Sequence, residues 1–349
     1  MSANSFGNIL KTTSFGESHG KALGVVIDGV PAGLTVNMDL LASNLKRRRP
    51  GSSKIVSARD EADIPEILSG VFEGKTLGTP ISVVVYNKDT KSEDYADIKS
   101  SPRPGHADDV WKNKFEHSDH RGGGRSSGRE TLSRVISGSF AQMILSALQP
   151  ESSVFVFSEQ ISTFSLSAHL PEVLKTLSTM NQKQGQDWID SFPAKFPHTD
   201  KAKEIEDLLL TAKEQGKSYG GQLVIYITNP PKNLGQPVFH KLKADLASAY
   251  LGIGATSSFE VGIGNAPLQE GSQFHENLSS EKYGGIRGGI STGENMIFRL
   301  GFKPTSSVMD VAKKGRHDPC ILPRAAIVVE AMTNLVLADH LLWSRLDKI

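Results

Sequence analysis

Cysteine is nearly missing from this chain: Cys320 is the one thiol in 349 residues. No internal disulfide can form, and a reducing compartment is the expectation. Net charge is almost missing too, because 39 Lys and Arg face 38 Asp and Glu for a formal +1. No global field therefore points to nucleic acid or to an acidic membrane surface. Long apolar runs are lacking as well. None approaches the roughly 18 residues needed to span a bilayer, and residues 1–11 hold no apolar core of signal-peptide length. These absences together lead to the expectation of a soluble, cytoplasmic protein. Aromatics make up only 7%, and none interrupts the Arg/Gly run at 121–125, which counts against an RNA-binding module.

What the chain does have is length for an ample core, arranged as two domains or one large duplicated one, and positive charge gathered locally. Arg47, Arg48 and Arg49, then Arg121, Arg125, Arg129 and Arg134, then Arg316 and Arg324 fall in Gly- and Pro-rich contexts rather than along one helix face. Such clusters suit a small, highly anionic ligand better than a polymer.

The segment 103–148 organises the rest. Leu132, Val135, Ile136, Phe140, Met143, Ile144, Ala147 and Leu148 recur at three- and four-residue steps and predict a buried helix of about five turns. Ser127-Gly128-Arg129-Glu130 fits a capping box, with Ser127 accepting from an early amide and Glu130 reaching back. Just upstream, Gly122-Gly123-Gly124 opens backbone amides to a ligand, and Arg125 and Arg129 add guanidinium forks. Free amides, a helix dipole and arginines favour phosphate or carboxylate. His106, Asp108, Asp109, His117, Asp119 and His120 place most of a catalytic inventory nearby.

Elsewhere, residues 22–30, 80–87, 154–161, 221–228, 258–263 and 294–300 read as strands. Helices are expected at 37–48 with Asn37 as cap, 171–180, 199–215, 238–251 and 325–346, the last buried from 327 to 337. Residues 87–101 read as a polar surface loop. Short strands alternating with helices, without a parallel βαβ fingerprint, favour an α+β arrangement.

Other chemistries compete for single motifs. Gly16-Glu17-Ser18-His19-Gly20 matches the nucleophile elbow G-x-S-x-G, but an elbow needs a strand leading in and a helix leading out, whereas little chain precedes Ser18 and a strand-like run follows. His117 and His120 have helical metal spacing, yet the three glycines argue against a helix and no Cys or Glu completes a familiar set. Residues 284–293 form a second glycine-dense loop, followed by Lys303-Pro304-Thr305-Ser306-Ser307; together they offer amides, hydroxyls and an ammonium for a nucleotide phosphate and an isoalloxazine edge. Arg316 and Asp318 stand two apart, so the arginine would hold an anion and keep Asp318 ionised as a base. His19, flanked by glycines, would be a suitable acid.

The ordered set FGESHG at 15–20, RRRPG at 47–51, SGVFEGKTLGTPI at 69–81, RPGHAD at 103–108, RGGGRSSGRET at 121–131, GGIRGGISTG at 284–293, KPTSS at 303–307 and RHDPC at 316–320 resembles the chorismate synthase family along nearly the whole chain. The resemblance implies a lyase of the shikimate pathway that forms chorismate and phosphate from 5-enolpyruvylshikimate 3-phosphate by trans-1,4 elimination. It requires reduced FMN without net redox change, and NADPH enters only if the chain reduces its own flavin. An implied α+β fold has helical layers between two antiparallel sheets, one domain over 1–349 with two pseudo-repeated halves, roughly 1–150 and 151–349, assembled as a homotetramer. By the same matching, His19 would protonate the leaving phosphate, His106 the reduced flavin, and Asp318 would assist proton removal. Ser18, Arg48, Arg103, Gly128, Arg129 and Arg316 would hold substrate. Arg48, Lys54, Arg125, Ser126, Ser127, Gly254, Ala255, Gly288, Lys303, Pro304, Thr305, Ser306, Ser307 and Arg316 would contact cofactor; no metal is implied. Lys54 stands where Arg is usual, Gly128 where Ala is usual and Gly254 where Asn is usual, and the stretch between Ser307 and Arg316 is short. Lys54 keeps charge without the bidentate fork, so these changes bear on flavin affinity. A scaffold that binds flavin but has lost the elimination is the rival reading, opposed by the intact His19, His106 and Asp318.

Overall fold

The structure is a computed structural model that describes residues 3–49, 63–87, 105–117, 119, 121–262, 266–276, 280–306, 308 and 318–349. Two five-stranded sheets enclose a helical interior, and every strand pairing within them is antiparallel. The first sheet comprises β1 (Ser5–Phe6), β2 (Lys11–Phe15), β3 (Ala22–Asp28), β4 (Glu66–Ile67) and β5 (Ile81–Tyr86), in the order β1-β2-β3-β5-β4. The second comprises β6 (Ser153–Ile161), β7 (Phe164–Ser165), β8 (Gly221–Thr228), β9 (Thr256–Val261) and β10 (Met296–Phe302), in the order β9-β10-β8-β6-β7. The α+β expectation with helices between antiparallel sheets is thus met.

The helices of eight or more residues are α1 (Met38–Arg48), α2 (Asp108–Phe115), α3 (Thr131–Leu148), α4 (Leu170–Ser178), α5 (Gln182–Asp190), α6 (Ala202–Gln215), α7 (Leu242–Leu251) and α8 (Leu322–Ser344). Asn37 caps α1 as read from the sequence, its side chain accepting from the Leu40 amide at 2.9 Å. Residues 238–251 do not form one helix: the Gln236 amide donates to the His240 carbonyl at 2.8 Å and closes a turn, so α7 begins at Leu242. Polar β2, whose residues alternate between exposed and half-buried, gives no apolar run and was not read as a strand.

α3 packs on β2 and β3, α8 on β6 and β8, and the two helices pack on each other as the middle of one continuous core. Gly138 makes that contact close, since a Cβ there would lie 2.4 Å from the Ala331 Cβ. The first turns of both helices, Thr131, Ser133 and Arg134 of α3 and Arg324 and Ala325 of α8, line one cavity, so α3 and α8 run in the same direction. α8 is long and apolar enough to cross a membrane by composition, contrary to the expectation of no such run, but 94% of its apolar window is buried inside the fold. Its apolar surface is spent on packing against α3, α7 and the second sheet.

Two buried polar anchors fix this core. Arg47, grouped by sequence with the ligand-seeking arginines, instead reaches Glu330 of α8 at 3.1 Å and Asp190 at the end of α5 at 2.7 Å. Burial pushes the Glu330 carboxyl up, against the pull of Arg47. Near the end of α8, the Asp339 carboxylate accepts from the backbone amides of Asn8, Ile9 and Leu10 at 2.9, 2.7 and 2.8 Å. It thereby ties the β1–β2 turn to the central helix.

Candidate active site

A cavity of about 730 Å³ opens where the first turns of α3 and α8 meet. Its walls are Asn4 with Ser5 and Phe6 of β1, Thr12 and Ser14 of β2, Ser248, Ala249 and residues 252–255 at the end of α7, residues 303–306, and residues 105–107 with Trp111. Both long helices present N-terminal turns here, so the exposed amides and dipoles of both favour an anion. Arg48, Arg125, Arg134, Lys303 and Arg324 line the same space. The size lies within the roughly 300–1,000 Å³ typical of cofactor clefts.

Residues far apart in sequence converge here. Arg48, His106, Arg125, Ser126, Ser127, Gly128, Gly254, Ala255, Lys303, Pro304, Thr305 and Ser306 all line the cavity. Ser18, His19, Arg129 and Asp318 are buried and are not among the residues that line it. Gly288 sits elsewhere, exposed at the tip of a two-stranded ribbon, with a φ of +61°. Lys54, Arg103, Ser307 and Arg316 lie outside the described residues, as do His120 and residues 88–101 of the expected surface loop. Among the described residues no cluster of His, Cys, Asp and Glu could hold a metal ion.

The capping box does not form as expected. Two 3-10 turns, Arg121–Ser126 and Gly128–Glu130, lead into α3, and the Ser127 hydroxyl accepts from the Arg129 amide at 3.4 Å. Glu130 turns away from the cap because Arg134 takes both its oxygens, at 3.0 and 3.1 Å. A charge-assisted pair outweighs a bond to a neutral amide. Arg134 also donates to the Gly252 carbonyl at 2.6 Å, which joins α3 to the end of α7 across the cavity.

The turn between β2 and β3 carries Ser18 and His19. A strand does lead into it, unlike the expectation, but a strand leads out, so no nucleophile elbow exists. The Ser18 hydroxyl stands 3.1 Å from His19 Nδ1 and donates to the Arg121 carbonyl at 3.2 Å. Arg125 steadies the same turn through the Gly16 carbonyl at 3.1 Å. His106 Nδ1 meets Asp108 at 2.8 Å. The 254–255 turn is fixed to the next wall by the Lys303 amide, which donates to the Ala255 carbonyl at 3.0 Å.

Behind the wall, Asp63 sits between two guanidinia, with Arg48 donating to one oxygen and Arg129 to the other at 3.0 Å. Burial opposes the charge on Asp63, but Arg48 and Arg129 outweigh it and hold the carboxyl below the usual range. Burial lowers Arg48, with Arg324 and Arg129 adding to the effect and Asp63 opposing it. Three arginines thus crowd one end of the cavity. Arg48 Nε and Arg324 Nε are buried without a hydrogen-bond partner among the described residues. Asp318 pairs with Arg324 at 2.6 Å, and the neighbouring Cys320 thiol is pushed up to about 12 by burial. Asp63 and Asn87 belong to no motif and were missed by sequence reasoning. Arg324 was counted among the clustered charges but given no partner.

Comparison with known proteins agrees with this assembly. The family profile described as chorismate synthase matches residues 10–342. The chain is similar to the chorismate synthase of Bdellovibrio bacteriovorus, 57% identical over 354 residues with all of both chains covered. It is 40% identical over 370 residues to that of Flavobacterium psychrophilum, with 99% of each covered. A solved structure described as a crystal structure of chorismate synthase superposes with a TM-score of 0.75 at 27% identity, covering 97% of this chain and 93% of the other. With the motifs gathered at one anion-seeking cavity and the match running almost end to end, the chain belongs to the chorismate synthase family, carbon–oxygen lyases of the shikimate pathway.

Proposed function

We propose that this cavity is where the chain eliminates phosphate from 5-enolpyruvylshikimate 3-phosphate to give chorismate, with reduced FMN bound in the same space. The observation that carries the reading is the excess of positive charge on the cavity walls: Arg48, Arg125, Arg134, Lys303 and Arg324 line it, against the single carboxylate of Glu130 among the described lining residues. A substrate with two carboxylates and a phosphate answers that surplus.

The residues present also fit a flavin. A Cβ added at Gly128 or Gly254 would meet nothing within 4 Å, so both glycines leave room for a flat ring. Arg125, Ser126 and Ser127 on one side, with Gly254, Ala255 and residues 303–306 on the other, would hold it. When bound, reduced FMN supplies transient electron donation that no side chain offers. This chain's own residues bind, orient and handle protons. Arg48 and Arg129 grip substrate anions, held apart and oriented by Asp63. His19 donates a proton to the departing phosphate oxygen. With Nδ1 engaged by Asp108, Nε2 is the atom through which His106 holds a proton for the cavity. Asp318, steadied by Arg324, assists removal of the substrate hydrogen.

Assembly as a homotetramer belongs to the same reading and is supported by exposed Ile64, Leu68, Phe72 and Leu77 around the first sheet. A cytoplasmic location accords with the single buried thiol. The test is anaerobic turnover of 5-enolpyruvylshikimate 3-phosphate, following phosphate release and chorismate absorbance with reduced and with oxidised FMN. Product with reduced flavin alone supports the proposal; binding of flavin without product refutes it. NADPH consumption in the presence of FMN decides whether the chain reduces its own flavin.

A further inference from the structure

His19 and Arg129 are separated by more than a hundred residues, yet one side chain touches both their settings. Asn87 directly follows β5, and its backbone amide donates to the Lys21 carbonyl at 3.0 Å. Its side-chain Oδ1 accepts from Arg129 Nε at 2.9 Å. Its Nδ2 donates to the carbonyls of Ser18 at 3.3 Å and Gly20 at 2.8 Å, the residues on either side of His19. The amide orientation is fixed by chemistry, since a guanidinium can only donate and a carbonyl can only accept. Arg129 in turn bonds Asp63, and Asp63 accepts from Arg48. One unbroken chain of hydrogen bonds therefore runs from the carbonyls flanking His19 through Asn87, Arg129 and Asp63 to Arg48 at the cavity.

We infer that Asn87 is a positioning residue for the elimination, setting the His19 turn in register with the arginines that grip the substrate. This rests on the roles proposed above for His19 and Arg129. An amide is the one group that suits the place: it must accept from a cation on one side and donate to two carbonyls on the other. The turn is also held from the start of α3: Ser18 bonds the Arg121 carbonyl, the Ser18 amide donates to the Gly124 carbonyl at a long 3.4 Å, and Arg125 reaches the Gly16 carbonyl at 3.1 Å. Asn87 adds a tether that grasps the carbonyls on both sides of His19.

Asn87→Asp separates the two halves of the role. The carboxylate keeps the bond to Arg129 but faces the Ser18 and Gly20 carbonyls with no donor, so the turn moves while the arginine stays. Displacement of a reacting group by about 1 Å costs on the order of 10²-fold in rate. The expected result is therefore a kcat lowered about 10²-fold with KM for 5-enolpyruvylshikimate 3-phosphate within a factor of about three. In a His19→Ala background the same change should cost almost nothing, because the group being positioned is gone. Equal losses in both backgrounds, or a rise in KM at constant kcat, would overturn the assignment.

Asn87→Ser, which reaches neither neighbour, should lower kcat and raise KM together, and thermal melting shows whether either variant folds. A readout free of the reaction comes from 15N-labelled histidine, with the His19 imidazole signals assigned by their loss in His19→Ala. They should move in Asn87→Asp; unmoved signals overturn the inference. Moved signals in a protein that makes no chorismate would leave the Asn87 link standing and refute the proposed reaction instead.

Discussion

Gly138→Ala tests the central architecture through the sign of its effect. In an ordinary helix interior the change stabilises by about 1 kcal/mol, because alanine loses less backbone entropy than glycine. Here the new methyl would lie 2.4 Å from the Ala331 Cβ, 2.5 Å from its Cα and 2.6 Å from its carbonyl oxygen. Relaxed carbon contacts need about 3.5–4.0 Å, so α3 and α8 must part by roughly 1 Å. Overpacking of this kind costs about 1–3 kcal/mol, and two of the three obstructing atoms are backbone that cannot rotate away. A net loss of about 1–2 kcal/mol is therefore expected after the propensity gain. The assay is urea unfolding followed by circular dichroism, in a two-by-two cycle with Ala331→Gly. Removing the opposing methyl should recover part of the loss, as a coupling above about 0.5 kcal/mol. A more stable Gly138→Ala protein, or strict additivity with Ala331→Gly, would refute the close parallel packing.

Four further outcomes follow from the same structure. Asp339→Ala strips the acceptor from three backbone amides; at about 1–3 kcal/mol for each unsatisfied group the upper bound is severe, and a melting temperature within error of the parent would contradict it. Arg48→Ala should raise KM for 5-enolpyruvylshikimate 3-phosphate about 10- to 100-fold, the worth of one charge-assisted contact, with steady-state kinetics as the check. His106→Ala should slow turnover about 10²- to 10⁴-fold while flavin titration changes little; unchanged turnover removes it from the chemistry. Asp63 is held below its ordinary value of 3.8 by Arg48 and Arg129 against burial. Its stabilisation is complete above that value and is lost as pH falls through the lowered folded-state value. The unfolding free-energy gap between parent and Asp63→Asn should therefore shrink in acid below 3.8, and a gap that stays constant there would count against the two-arginine clamp.

Much of the fold was legible because its signals are local. The apolar steps from Leu132 to Leu148 predict α3, and Asn37 marks the start of α1 one residue before Met38. The cavity was legible for a different reason: glycine loops and arginines keep their motif character whatever surrounds them. What stayed hidden was the choice of partner. Ser127 and Glu130 have capping-box spacing, but Arg134 one turn later wins the carboxylate. Asp318 was expected to work beside Arg316, and the described partner is Arg324, which the same helix start brings round. Asn87 and Asp63 carry no motif at all; their roles arise only when β5 and the preceding loop lie against the His19 turn. β2 escaped because KTTSF has one face half-buried and the other exposed, without an apolar pattern.

The Asp339 anchor joins residues 331 positions apart, and that has a meaning for how the chain is made. The amides of Asn8, Ile9 and Leu10 leave the ribosome early, while the carboxylate that satisfies them is translated near the end. At about 5–20 residues per second the wait is on the order of tens of seconds. Throughout it, β1 and its cavity residues Asn4, Ser5 and Phe6 lack their final tether. The first wall of the cavity to be synthesised is thus among the last to set, and a nascent chain stalled before residue 339 would hold an unfinished active site.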